Sequence, residues 1–320
     1  MDEMDLALAS MFFLTLREKF VLRNNLDSLD KLALMSIDDI SAQIQRPIKK
    51  ALWDGSRAAA LARKEMPVIS AQKIGAVRAD QDAYPPLLRQ IPDAPYMLFF
   101  RGSLECLHKR CVSVVGTRRV CREAAMATAD FCKSAANAGF TVVSGLAYGA
   151  DSYAHNGALQ SGQPGSTAAV LPCGIDAVVP GGNKSLAAKI LRSGGALVSE
   201  YVPGFPGETW CFVQRNRIVA ALSGATVITE APGGSGALIT ADFALGYGRD
   251  VVLHKSCFCQ KAAEQNSAGR QGPGAERKRR MTVESLMEEG APVVEDFDGY
   301  MRAIENESGV QKGLRKGELF

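Results

Sequence analysis

The rhythm of apolar and polar positions changes twice along this chain of 320 residues. Over residues 1–75 apolar side chains recur every three or four positions, the spacing of one helix face. Ala7, Met11, Phe12 and Leu14 to Leu16 predict one helix; Leu29 to Met35, Ile37 to Ile44 and Ile48 to Lys64 predict three more. Asp38 is read as the start signal of the helix near Ile37. Residues 76–105 form an extended connector, because Tyr84-Pro85-Pro86 and Ile91-Pro92-Asp93-Ala94-Pro95 hold the backbone away from helix. Tyr96 to Phe100 then reads as a strand ended by Arg101-Gly102.

From Cys111 onward, short runs of Val, Ile and Ala alternate with helical stretches. Strands are predicted at 112–115, 141–143, 167–171, 196–198, 226–229 and 251–253, and helices at 121–138, 152–160, 184–192, 214–222, 237–246 and 282–288. Repeated strand–helix units whose strands are apolar throughout imply a parallel sheet covered on both faces. The fold class expected is α/β, a Rossmann-like doubly wound parallel sheet over 106–300, preceded by a small N-terminal helical domain over 1–75. An insertion at 258–281 has no apolar period and is expected to be disordered. The tail at 301–320 is expected to be one frayed helix and a loose end.

Composition narrows this picture only a little. Hydrophobic residues make up 47% and charged residues 22%, ordinary values for a globular chain. The net charge of +3 is unevenly placed. Lys261, Arg270, Arg277, Lys278, Arg279 and Arg280 face only Glu264 and Glu276 between Gln260 and Arg280, so the rest of the chain is about neutral. Any anion site in the folded body must therefore be a local cluster of cations. The eight cysteines lie mostly in apolar patterns, and only Cys257 and Cys259 are close-spaced, without the second pair a zinc site needs. The apolar stretch Leu6–Leu16 follows Asp2, Glu3 and Asp5 rather than a basic flank, and reads as a buried helix. No apolar run approaches a membrane span, so a cytoplasmic protein is expected.

Three glycine-rich turns carry the chemistry. Val114-Val115-Gly116-Thr117-Arg118-Arg119, Val143-Ser144-Gly145-Leu146-Ala147-Tyr148-Gly149-Ala150-Asp151 and Glu230-Ala231-Pro232-Gly233-Gly234-Ser235-Gly236 each follow a predicted strand and lead into a helix. In a parallel sheet all three open outside the carboxyl ends of the strands, where ligands bind. Glycine allows close backbone approach, and helix N-termini aim N–H groups at a phosphate. The first turn has neither Gly-x-Gly-x-x-Gly nor the P-loop Gly-Lys-Ser/Thr, so neither a dinucleotide nor ATP is supported and no cofactor is expected. It offers instead a hydroxyl and two guanidinium groups suited to phosphate oxygens. Asp151 is placed to cap its helix, with His155 one turn beyond; a cap and a packed histidine are favoured over a catalytic pair, since no nucleophile is near. Arg215-Asn216-Arg217 is read as opening a helix, with one arginine facing the strand-end edge and the other bracing structure. Lys184 is a further candidate for that edge.

These residues resemble the DprA/Smf DNA-processing family. The resemblance is carried by Gly116-Thr117-Arg118, by Ser144-Gly145-Leu146-Ala147 through Gly149-Ala150-Asp151 to His155, and by Gly157-Ala158-Leu159. Leu171-Pro172-Cys173-Gly174-Ile175-Asp176, Ser199-Glu200-Tyr201, Arg215-Asn216-Arg217-Ile218 and Ser235-Gly236-Ala237-Leu238-Ile239-Thr240-Ala241 extend it, with Tyr84-Pro85-Pro86-Leu87-Leu88 and Phe99-Phe100-Arg101-Gly102 leading in. It runs from about 84 to 294.

The resemblance implies a bacterial protein, not an enzyme, that binds single-stranded DNA. Such a protein protects incoming strands in natural transformation and helps load the RecA recombinase, as a homodimer. Carried over, Arg118 contacts phosphate, with Lys184 and Arg215 or Arg217 supporting. The candidate site comprises Gly116, Thr117, Arg118, Arg119, Ser144, Gly145, Tyr148, Gly149, Lys184, Arg215, Asn216, Arg217, Gly234, Ser235, Gly236 and Thr240. Tyr148 stands where the family often has arginine, leaving a ring that could stack on a base. The N-terminal module, of SAM or helix-hairpin-helix size, lacks the glycine hairpins of a DNA-gripping helix-hairpin-helix. The residues after Val294 are too few for the winged-helix domain of many members. The alternative is a nucleoside monophosphate phosphoribohydrolase resembling the lysine-decarboxylase-like family. Pro232-Gly233-Gly234-Ser235-Gly236 fits its phosphate cradle, but Ala237 and Thr240 replace the Thr and the Glu of its signature, and the acid/base carboxylate is missing.

Overall fold

Strands buried on both faces must be apolar on both, and the middle of this chain supplies five. In β3 (Cys111–Val115), β4 (Thr141–Ser144), β5 (Thr167–Val170), β6 (Ala196–Ser199) and β7 (Ala225–Ile228) every residue is buried. The computed structural model describes residues 1–259 and 281–305. Of the insertion expected to be disordered at 258–281, Phe258 instead ends a short 3-10 helix, Lys255–Phe258, and Cys259 and Met281 are also described; residues 260–280 and the tail from 306 lie outside the described residues.

The strands form one nine-stranded sheet in the order β1-β2-β6-β5-β4-β3-β7-β8-β9. From β6 across to β8 (Asp250–His254) and β9 (Val293–Val294) all neighbours are parallel. The other end departs from the parallel pattern. There β2 (Met97–Gly102) runs antiparallel on β6, and β1 (Gly75–Arg78) antiparallel on β2. The proline-bearing connector, with its one-turn helix α6 (Pro86–Arg89), joins β1 to β2 without the long helical crossover that a parallel pair requires.

Alternation along the strands sorts the helices onto two faces. Val112 and Val114 share a core with Phe131, Ala135, Ala154 and Ala158 of α7 (Arg122–Asn137) and α8 (Ala150–Gln160). Val115, Val143 and Val170 share another with Ile218, Leu238 and Ala241 of α10 (Thr209–Ala221) and α11 (Gly236–Gly246). α9 (Lys184–Arg192) lies between β5 and β6 in sequence, and α12 (Val283–Glu288) precedes β9. The sheet is doubly wound. Its order reverses between β3 and β7, which is where such sheets bind ligands.

The N-terminal helices are α1 (Glu3–Ala9), α2 (Leu16–Asn25), α3 (Leu29–Leu34), α4 (Ile37–Ile44) and α5 (Gly55–Ala71). The single helix expected through Leu16 is two. Thr15 accepts from the Glu18 N–H while Glu18 accepts from the Thr15 N–H, a reciprocal cap that starts α2 afresh. Ser36, rather than Asp38, caps α4, with Asp39 as its reciprocal partner. The last helix begins at Gly55, seven residues after Ile48, behind the Asp54 cap. Leu6, Leu8, Leu22, Leu32 and Ile40 merge into one core with Met97, Phe99, Leu171 and Leu197 of the sheet.

Seven of the eight cysteines are buried and Cys259 is half-buried. Among the described residues no cluster of His, Cys, Asp or Glu is arranged to hold a metal, and no helix is long and apolar enough to cross a membrane.

Candidate nucleic-acid interface

At the point where the strand order reverses, the three turns enclose a crevice of about 480 Å³. Gly116, Thr117, Arg118 and Arg119 line it from the turn after β3, Gly145 from the turn after β4, Gly234 and Ser235 from the β7–α11 turn, and Gly236 and Thr240 from the start of α11. Arg215 and Asn216 line it from α10. Eleven of the sixteen candidate residues therefore share one cavity. Ser144, Tyr148, Gly149, Lys184 and Arg217 are not on its wall.

Hydrogen bonds tie the turns to one another. The Thr117 N–H donates to the Glu230 carbonyl at 2.7 Å, and the Ala150 N–H donates to the Thr117 carbonyl at 3.1 Å. Ser144 Oγ donates to the Val114 carbonyl at 2.7 Å, so this serine joins β4 to β3 and does not face the crevice. Gly149 has φ +76, and a Cβ there would collide with the Thr117 carbonyl oxygen. Only glycine fits that turn. Gly145 is small for a different reason: the Arg215 guanidinium lies against it, in the space that a Cβ would occupy.

Arg215 is 4% exposed, and its guanidinium donates to the carbonyls of Gly145 and Val170. The helix expected to open at Gln214 starts at Thr209, so Arg215 and Arg217 lie in its middle rather than at its first turn. Residues two apart leave opposite faces of a helix. Arg217 accordingly points away from the crevice, donating to Glu200 and to the Asp93 carbonyl at 2.6 Å. Both arginines hold protein groups. The exposed cations of the crevice are Arg118 and Arg119, and among the described residues neither is in an ion pair. Arg118 lies 5.4 Å over the ring of Phe212.

Among the lining residues that sequence reasoning left out of the candidate site, Phe212 is the aromatic one. With α10 started at Thr209, Phe212, Arg215, Asn216 and Val219 fall on one face by three-and-four spacing, which is the signal that would have found it. Ser235 N-caps α11 in conformation, yet its Oγ is buried without a hydrogen-bond partner among the described residues. A donor hydroxyl at the start of an eleven-residue helix is well suited to an anionic oxygen. Lys184 is exposed at the first turn of α9, and Tyr148, 51% exposed, sets its hydroxyl against Gly182.

Asp151 and His155 are structural in this geometry. Asp151 lies inside α8 and accepts from the Ala147 N–H at 3.1 Å, bracing the turn; the N-cap position belongs to Gly149. Burial pushes its carboxyl above the usual range, opposed by the Arg215 charge. His155 Nδ1 meets Thr167 Oγ1 at 2.7 Å, and that hydroxyl donates to the Val142 carbonyl. Thr167 must then accept from Nδ1–H, leaving Nε2 bare and buried. Burial, with Arg215 adding, lowers the imidazole to about 3. Its folded value lies below its unfolded one, so the unfolded chain takes up the proton first and stability is lost as pH falls from about 6.5 toward 3. Between about pH 7 and pH 5, urea denaturation of His155→Gln is expected to lose a one-proton slope, up to about 1.4 kcal/mol per pH unit, relative to wild type. Parallel slopes for the two proteins would show that His155 takes up its proton in the fold as readily as in the unfolded chain.

A family model described as DNA recombination-mediator protein A matches residues 75–304. Protein Smf of Borreliella burgdorferi is 34% identical over 253 residues, covering 78% of each chain. The structure of DNA processing protein A from Streptococcus pneumoniae is similar over 93% of this chain and 95% of its own, with a TM-score of 0.69 and 27% identity. That of DNA processing protein A from Helicobacter pylori, described for its single-stranded DNA binding mode, is 23% identical with a TM-score of 0.58 over 73% of this chain and 97% of its own; this likeness shows the fold. The chain spans less than half the length of two other Smf proteins it matches. With the crevice placed at the sheet's switch point and the family match running through all three of its turns, the chain belongs to the DNA recombination-mediator protein A family.

Proposed function

We propose that the chain binds single-stranded DNA in the crevice between the three turns, and that it acts in DNA processing by shielding incoming strands and passing them to the RecA recombinase. The observation that carries this reading is the pairing of two exposed guanidiniums, in no ion pair among the described residues, with a turn-built phosphate cradle at the switch point. Arg118 and Arg119 supply charge, Ser235 and the start of α11 supply donors, and Phe212 supplies a ring. Backbone tracking of this kind binds with little base selection and strong salt dependence. The Helicobacter pylori relative, named for a single-stranded DNA binding mode, supports the same assignment. A homodimer acting in the cytoplasm completes the proposal.

Nucleotide hydrolysis is less well supported. Thr240 gives its hydroxyl hydrogen to the Gly236 carbonyl at 3.1 Å, and Ala237 carries no polar group. Asp151, the carboxylate on the crevice wall, is engaged by the Ala147 N–H beside Arg215. Among the described lining residues no carboxylate is free for acid/base work.

Fluorescence anisotropy of labelled poly-dT against duplex of equal length, over a salt series, tests the proposal. Single strand is expected to bind more tightly at every salt concentration, with affinity falling steeply as salt rises. Equal affinity for duplex, or none at low salt, would overturn it.

A further inference from the structure

The helix α10 is the wall of two cavities. Phe212 and Asn216 face the crevice already described, whereas Trp210, Gln214 and Arg217 face a second cavity of about 360 Å³ between the N-terminal helices and the sheet. Its floor is charged. Lys19 is 7% exposed, and its ammonium, with three donors, makes one hydrogen bond among the described residues, to the Ala9 carbonyl at 3.2 Å. Glu200 binds Arg217 through one oxygen, while its other, Oε1, is buried and accepts nothing among the described residues. Burial pushes the Glu200 carboxyl up and the Lys19 ammonium down to about 8, each opposed by the partner charges.

The rim is aromatic. Phe12 and Trp210 are each 42% exposed, with ring centroids 5.9 Å apart, and both pack on Tyr201 and Phe205. A buried acceptor left empty beside a donor with spare capacity is costly to maintain. A flat molecule with both a donor and an acceptor on one edge, and a π-face for the rim, would satisfy all of it.

We propose that this second cavity is a nucleobase site that takes a base carrying an amino donor and a carbonyl acceptor at the two ends of one edge, as guanine and cytosine do. The amino group donates to Glu200 Oε1, the carbonyl accepts from Lys19 Nζ, and the ring rests on the Phe12–Trp210 rim. Thymine offers only a ring N–H set between two carbonyls, one of which would have to face the carboxylate. The identification of the base as part of a bound strand rests on the function proposed above. A strand in the first crevice reaches the second by crossing α10 at Val213, which is 39% exposed.

Free nucleosides separate the two sites, because they carry no phosphate for the guanidiniums of the first crevice and Trp210, on the rim of the second, reports their binding there. The chain has two tryptophans, Trp53 and Trp210, so Trp53→Phe leaves Trp210 as the reporter. Deoxycytidine and deoxyguanosine are expected to quench it saturably, and thymidine to bind about tenfold more weakly. Adding Glu200→Leu should erase that preference and adding Lys19→Met should weaken all three nucleosides alike, while adding Arg118→Ala should leave the preference intact. If Glu200→Leu fails to fold, Phe12→Ala on the rim gives the second reading: about tenfold weaker quenching at an unchanged melting temperature. Quenching that does not saturate, or an equal response to thymidine, would overturn the proposal. Saturable, base-selective quenching in a protein that binds no poly-dT would overturn the DNA reading and leave the nucleobase site standing.

Discussion

Replacing Arg118 and Arg119 together by alanine is expected to weaken single-strand affinity by about a hundredfold at moderate salt, roughly tenfold for each guanidinium–phosphate pair removed. Their guanidiniums are exposed, in no ion pair among the described residues and on the crevice wall, so removing them gives up only the contact of Arg118 with the Phe212 ring. The salt dependence carries the sharper test. For single strands the slope of log affinity against log salt is about 0.7 per neutralised phosphate, so the double variant should be flatter by about 1.4. Lys31, on the N-terminal helices and paired with Asp27 at 2.7 Å, serves as the control, and Lys31→Ala should leave the slope where it was. A double variant with reduced affinity and an unchanged slope would place the phosphate contacts elsewhere.

The second large effect is on stability. Arg215→Ala is expected to cost about 3–5 kcal/mol, the range for breaking up a buried, hydrogen-bonded charge. It strips the Gly145 and Val170 carbonyls of their donor, removes the charge beside the buried Asp151 carboxyl, and leaves a hollow against Gly145. Thermal unfolding should shift down by about 10 °C. Arg215→Lys should recover little, because an ammonium cannot reproduce the planar fork that two carbonyls and a bare glycine surface require. Unfolding within a degree or two of wild type in both variants would show that the guanidinium is not a brace. Its opposite number Arg217 is held by Glu200 and Asp93 on the other face of the same helix.

The sheet was legible from Cys111 onward because buried parallel strands are short and apolar and end in glycine turns, a pattern with few alternatives. The antiparallel pair β1–β2 was half legible. Tyr96–Phe100 reads as a strand, whereas Gly75–Arg78 is too short and too polar to signal one. Helix starts were the weak point, and the cause is local: reciprocal caps at Thr15 and Ser36 set them, and a polar residue inside an apolar run does not announce that role. The late start assigned to α10 had the larger consequence. It left Phe212 outside the helix and set one of Arg215 and Arg217 on the strand-end edge as a ligand-facing cation, with only the other bracing structure. Both are in fact buried by partners distant in sequence, Gly145 and Val170 for one and Asp93 and Glu200 for the other. Arg118 and Arg119 were legible because the strand-end turn that bears them is defined by its own sequence.

The wedging of the three turns, each hydrogen-bonded or packed to the next through Thr117, Gly149 and Ala150, has a kinetic consequence. A crevice with its floor already locked together among the described residues has little backbone freedom to surrender to the strand proposed to bind there. Capture should then proceed at the pace of encounter, hastened by low salt and slowed by added viscosity, and differences between strands should show in how long they stay.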